Sequence, residues 1–132
     1  MSSIFSKIVN KEIPSYIVAE NDKFLAFLDI FPLKKGHTLV IPKLEVDYIF
    51  DLDDDLFNEL NLFAKKVSIG IKKVIPCKRI GVAVIGLDVP HAHIHLIPIN
   101  SIKDMNFENK KLIYTDEEFL TISKEIKHEI IL

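Results

Sequence analysis

Six apolar residues, Leu56, Leu60, Phe63, Val67, Ile71 and Val74, follow one another at intervals of 4, 3, 4, 4 and 3. That spacing lays them along one side of an α-helix of about five turns. Asp53, Asp54 and Asp55 occupy its start, where carboxylates accept from free N–H groups and meet the positive end of the helix dipole. Lys72 and Lys73 lie near its end, and Pro76 stops it. The acidic triplet has a metal-site reading too, but helix-start chemistry accounts for all three residues. A helix with one apolar side must lie on another layer. The flanking segments supply it, because residues 16–20, 24–29 and 38–42 read as strands, split by the turn-prone Asn21-Asp22 and by the stretch from Pro32 to Gly36. Strands this short and this close in sequence favour an antiparallel meander. Two more strands are expected at 80–85 and 89–99, joined by a tight turn at Gly86-Leu87-Asp88.

A short helical turn is expected at residues 4–9 and a final helix from 116 to about 131. There Thr115 and Glu118 fit a capping box, and Phe119, Ile122, Ile126 and Ile130 form a stripe. The fold class is therefore α+β: about five antiparallel strands, one long helix and a C-terminal helix. Only four Gly occur in 132 residues and there is no repeat or linker, so residues 1–132 are expected to form a single domain. Composition removes several functions. A formal charge of -2 leaves no broad basic surface for nucleic acid. The single cysteine, Cys77, excludes an internal disulfide and any paired-cysteine zinc site, which suits a reducing compartment. Lys7 and Lys11 interrupt the first residues, and no apolar run reaches signal or spanning length, so a cytoplasmic protein without a membrane partner is expected.

The chemistry concentrates at Pro90-His91-Ala92-His93-Ile94-His95-Leu96-Ile97-Pro98. On a strand, alternate side chains share a face, which would point His91, His93 and His95 one way and Ala92, Ile94 and Leu96 the other. Three imidazoles are a poor packing choice, since each buried ring nitrogen needs a partner. All three converging on one zinc ion would demand strong bending, because His91 and His95 would be about 13 Å apart at Cα. A site of two triad histidines with His37 and a carboxylate remains an alternative. Nucleophilic catalysis is the other reading: neutral imidazole attacks phosphorus or carbonyl centres near pH 7. His93 would attack, its second nitrogen held by a backbone carbonyl, while His91 and His95 steady the developing charge. His37, after a Pro/Gly turn, is a further candidate, and His128 is expected at the surface.

The run from His91 to Ile97 resembles the signature of the histidine triad superfamily, in which three His alternate with apolar residues. The stretch from Ile4 to Pro14 is similar to the opening of its nucleotide-binding branch, and Leu25 to Pro32 with the His37 segment is similar to its central strands. The likeness spans residues 4 to 99 and implies a HIT-like fold. It further implies that His93 accepts a nucleoside monophosphate, with His91, His95 and His37 around the α-phosphate and leaving group. Asp29 would bind the ribose hydroxyls, and Phe5, Ile8, Ile13, Phe27 and Ile30 would wall the base pocket, although Ile8 and Ile13 also read as plain core. The implied activity is hydrolysis or nucleotidyl transfer at the α-phosphate of a purine nucleoside phosphoramidate or related conjugate. It would proceed through a nucleotidyl-histidine that releases AMP, with no metal or other cofactor, in a homodimer. A nucleotide-binding regulatory module, a dinucleoside polyphosphate hydrolase and a zinc-dependent hydrolase are the alternatives.

One stretch departs from the family pattern. Family members carry a longer loop before the triad, with an Asn and a hydroxyl or amide side chain that contact phosphate. Here the stretch from Gly81 to Pro90 has no Asn and offers Leu87 and Asp88 instead. An ionised Asp88 facing the site would repel a phosphate, and loss of one oxyanion donor costs about 10²–10³ in rate. Reduced activity on the family's usual substrates is the corresponding expectation.

Overall fold

In the computed structural model, residues 2–132 are described. The chain runs α1 (Ile4–Val9), β1 (Ile17–Glu20), β2 (Phe24–Leu28), β3 (Thr38–Pro42), α2 (Asp54–Val74), β4 (Arg79–Ala83), β5 (Ile94–Ile99) and α3 (Asp116–Glu129). Single 3₁₀ turns lie at Ile49–Asp51 and Ile102–Met105. The helix starts form as their side chains dictate. Asp53 caps α2 by accepting from the Leu56 N–H at 2.8 Å. Thr115 and Glu118 exchange hydrogen bonds of 3.1 and 2.9 Å at the start of α3.

The strands form one antiparallel sheet in the order β1-β2-β3-β5-β4, an α+β architecture with the first three strands as the expected meander. Strand alternation divides its two faces. Ala26, Leu28, Val40, Ile94 and Leu96 face α2 and α3, where Leu60, Phe63, Val67, Ile71 and Ile126 complete the larger core. Leu25, Phe27, Leu39 and Ile41 form the opposite face with Phe5 and Ile8 of α1. His95 lies opposite Leu39 in the β3–β5 register, so it belongs to this second, smaller face.

Five elements differ at their boundaries from the sequence reading; β1 starts at Ile17 instead of Tyr16. The strand expected at 89–99 starts only at Ile94. The preceding residues hook across to another segment instead of pairing with β4: Ala92 N–H donates to Val46 O at 2.7 Å and His91 N–H to Val89 O at 2.8 Å. The period-two face rule therefore stops short of His91. The strand expected at 80–85 sits at Arg79–Ala83, so the link to β5 is a ten-residue loop, not a tight hairpin, with Gly86 turning it at φ 71°. Asp29 lies just past β2, and α3 ends at Glu129, differences within normal end fraying.

Candidate active site

Three histidines meet on the α1 side of the sheet, each in a tautomer set by its neighbours. The His93 Nδ1–H donates to the His91 carbonyl at 2.7 Å, which leaves the Nε2 lone pair uncommitted. Leu33 N–H donates to His37 Nδ1 at 3.0 Å, so the His37 proton is on Nε2. That proton is donated to His95 Nδ1 at 2.9 Å, which puts the His95 proton on Nε2 in turn. Two neighbouring rings thus present opposite functions, a lone pair on His93 and an N–H on His95, with ring centroids 5.0 Å apart. Among the described residues no buried side-chain nitrogen or oxygen lacks a partner. The two free Nε2 atoms are accordingly those reached from the cavity.

Burial keeps the supporting pair neutral. His37 and His95 are both pushed down to about 4, chiefly because burial disfavours the imidazolium. Lys111 adds to the effect on His37, and His37 and His93 add to that on His95. Two neutral rings at pH 7 are what the Leu33–His37–His95 relay requires.

The cavity in front of them has a volume of about 510 Å³. Phe5, Ile8, Ile13, Phe27 and Ile30 all line it, as do Asp29, His37, His93 and His95. Asp29 is held by its Oδ1, which accepts from Phe31 N–H at 2.8 Å, while Oδ2 lies 3.6 Å from His37 Nε2. Exposed Asp88 lies on the lining of the same cavity. Asp29, His37 and His95 bring one potential ligand atom each to within 4.8 Å of one another. The two imidazoles of this group are already joined to each other by the His37–His95 hydrogen bond.

His91 is the residue the geometry sets apart. It is 0% exposed and does not line the cavity. Its Nε2–H donates to Pro42 O at 2.7 Å, and its Nδ1 accepts from the Ser3 hydroxyl at 2.9 Å. Ser3 also caps α1, accepting from Ser6 N–H at 3.0 Å. The Ser6 hydroxyl donates to Glu45 Oε1 at 2.7 Å, and the Ser3 N–H donates to the same oxygen. The Ser3 N–H and the Ser6 hydroxyl hold the Glu45 carboxyl down at about 2. Phe5 lies edge-on to both His91 and His93, at 5.9 and 5.0 Å between centroids, so α1 clamps the residue whose carbonyl orients His93.

Sequence reasoning missed Ser3, Ser6, Glu45, Phe107 and Lys111. Phe107 lies edge-on to His95 at 4.9 Å and to His37 at 6.4 Å. His128 is exposed and far from this group in the fold, at the end of α3.

A family model of the HIT domain matches residues 10–102. The chain belongs to the HIT family. An uncharacterized HIT-like protein of Borreliella burgdorferi is 38% identical over 135 residues, covering 96% of this chain and 97% of its own length. The adenosine 5′-monophosphoramidase of Schizosaccharomyces pombe is 40% identical over 100 residues, 74% of each chain. Among solved structures, a HIT-like protein of Bartonella henselae superimposes with a TM-score of 0.84 at 31% identity, covering 98% of this chain and 96% of that one. The HIT resemblance and the five-stranded antiparallel fold read from the sequence are thus both found. Among the described residues, no helix is long and apolar enough to cross a membrane.

Proposed function

We propose that this HIT-family chain cleaves the α-phosphate bond of a purine nucleoside phosphoramidate or related nucleotide conjugate. The observation that carries the reading is the His93 Nδ1–H bond to the His91 carbonyl at 2.7 Å, which leaves Nε2 as a nucleophile at the cavity. His93 Nε2 attacks the α-phosphorus, the bond to the leaving group breaks, and the departing amine takes a proton from water. A nucleotidyl-histidine results, and water then attacks the same phosphorus to release the monophosphate, AMP for an adenosine substrate.

His95 Nε2–H donates to a phosphoryl oxygen as charge builds, with His37 fixing its tautomer. Asp29, an acceptor-only group, takes the ribose hydroxyls. The walls formed by Phe5, Ile8, Ile13, Phe27 and Ile30 flank the base. His91 acts through its carbonyl and is a positioning residue. No metal enters the scheme. The protein works as a cytoplasmic homodimer without a nucleic-acid or membrane partner. The relationship to the Schizosaccharomyces pombe adenosine 5′-monophosphoramidase supports the substrate class.

The test is steady-state release of AMP from adenosine 5′-phosphoramidate by wild type and His93→Ala, with and without a chelator. Turnover by wild type that survives the chelator and disappears in the variant supports the reading. Normal turnover by His93→Ala overturns it. Tight AMP binding without turnover of any conjugate would instead favour a regulatory nucleotide-binding module.

A further inference from the structure

The cavity's charges are unevenly matched. Asp29 and Asp88 line it, the supporting histidines are neutral, and Lys111 is the one lysine or arginine among the described lining residues. Lys111 is half-buried, yet among the described residues no carboxylate pairs with it. Its Nζ donates only to two backbone carbonyls, Phe107 O and Asn109 O, the latter at 3.0 Å. An ammonium has three hydrogens to place and a full charge to neutralise, so one donor and the whole charge are left at the cavity.

This position is held in place. Lys111 lies between the 3₁₀ turn Ile102–Met105 and α3, beyond the residues that the HIT domain matches. Leu112 N–H donates to Pro32 O at 2.8 Å, Asn109 Nδ2 donates to Lys103 O at 2.7 Å, and Lys34 pairs with Asp104 at 3.6 Å. Phe107 anchors the same segment on the His95 and His37 rings. The ammonium is therefore presented at the histidine end of the cavity by a segment tied to the loop that carries His37.

We propose that Lys111 is a specificity-determining residue that binds an anionic group, a carboxylate or phosphate, on the substrate's leaving group. The proposal rests on the reaction at His93 described above and narrows its substrates to conjugates whose departing half is negatively charged. The base, ribose and α-phosphate have partners in the apolar walls, Asp29 and the His95 N–H, which leaves the leaving group as the part of the substrate to which no other side chain is assigned.

Two adenosine 5′-phosphoramidates isolate that charge, one carrying glycine and one carrying glycinamide. The P–N–CH2 linkage is shared and the carboxylate differs, so the contribution of Lys111 is read as the change in the ratio between wild type and variant. Wild type should prefer the glycine conjugate by about tenfold in kcat/KM, the size of a charge-assisted contact. Lys111→Gln keeps N–H donors for the Phe107 and Asn109 carbonyls but removes the charge, and should bring the ratio close to one. Lys111→Arg should restore most of it. Equal losses on both substrates, or no preference in wild type, would overturn the proposal.

Binding of the same compounds to His93→Ala, with and without Lys111→Gln, separates the two claims. A Lys111-dependent binding difference, with wild type turning over neither compound, would leave the Lys111 contact standing and sink the reaction. Turnover of both compounds with no such difference would do the reverse.

Discussion

His91 and His93 are two residues apart and of the same type, yet they occupy opposite kinds of place. Both ring nitrogens of His91 are spent inside the protein, on Pro42 O and the Ser3 hydroxyl. His93 spends one, on the His91 carbonyl, and keeps the other for the cavity. The difference comes from the backbone between them. Because Ala92 N–H bonds to Val46 O, the chain is not yet a strand at His91, and its ring turns toward α1. One motif is thus divided into a ring held inside the fold and a ring open to the cavity.

That division predicts opposite balances of activity and stability. Replacing His93 by Ala should lower kcat/KM by about 10⁴-fold or more, as removal of a nucleophile does, with a smaller loss of stability than His91→Ala, since only one of its ring nitrogens is bonded within the fold. His91→Ala should reverse the weighting. It leaves a buried carbonyl and hydroxyl unpaired and opens a cavity, costing roughly 2–4 kcal/mol in chemical denaturation. Loss of aim at His93 should add a rate deficit on the order of 10²-fold per folded molecule. A His91→Ala protein as stable as wild type would break the comparison.

Acid should act on the buried rings next. His37 and His95 fall from an ordinary 6.5 to about 4 in the folded protein, so the unfolded chain binds more protons between those values. Their contribution to stability is complete above pH 6.5 and is lost as pH falls toward 4. Melting temperature should therefore drop across that window, and less steeply in His95→Asn. A flat profile in wild type would contradict neutral, buried rings. The smallest effect is expected from Glu45→Gln. Glu45 is exposed and solvent screens it, so the variant should shift melting temperature less than His91→Ala does and leave the nucleophile competent.

How far the sequence reading carried depended on whether a signal was local. The α2 stripe, the Asp53 and Thr115 caps and the first three strands follow from spacing and neighbouring residues, and all formed. His93, His95, His37 and Asp29 were legible as chemistry and do meet at one cavity. The network that separates His91 from the others was not, because Ser3 and Glu45 lie 88 and 46 residues away from it. Two ordinary surface residue types gave no sign of converging there. Alternation of histidines also suggested a strand through His91, and only a long-range hydrogen bond from Ala92 prevents it. Phe107 and Lys111 sit in a stretch without regular structure, where neither period exists to read. The one available hint was a lone aromatic in a polar run.

The central claim is that His93 Nε2 is the nucleophile. Wild-type protein mixed with adenosine 5′-phosphoramidate, quenched within a turnover and digested, should yield a peptide carrying adenylate on His93 alone. Adenylate on His37, His91 or His95, or AMP release with no adenylylated histidine at any quench time, would contradict it.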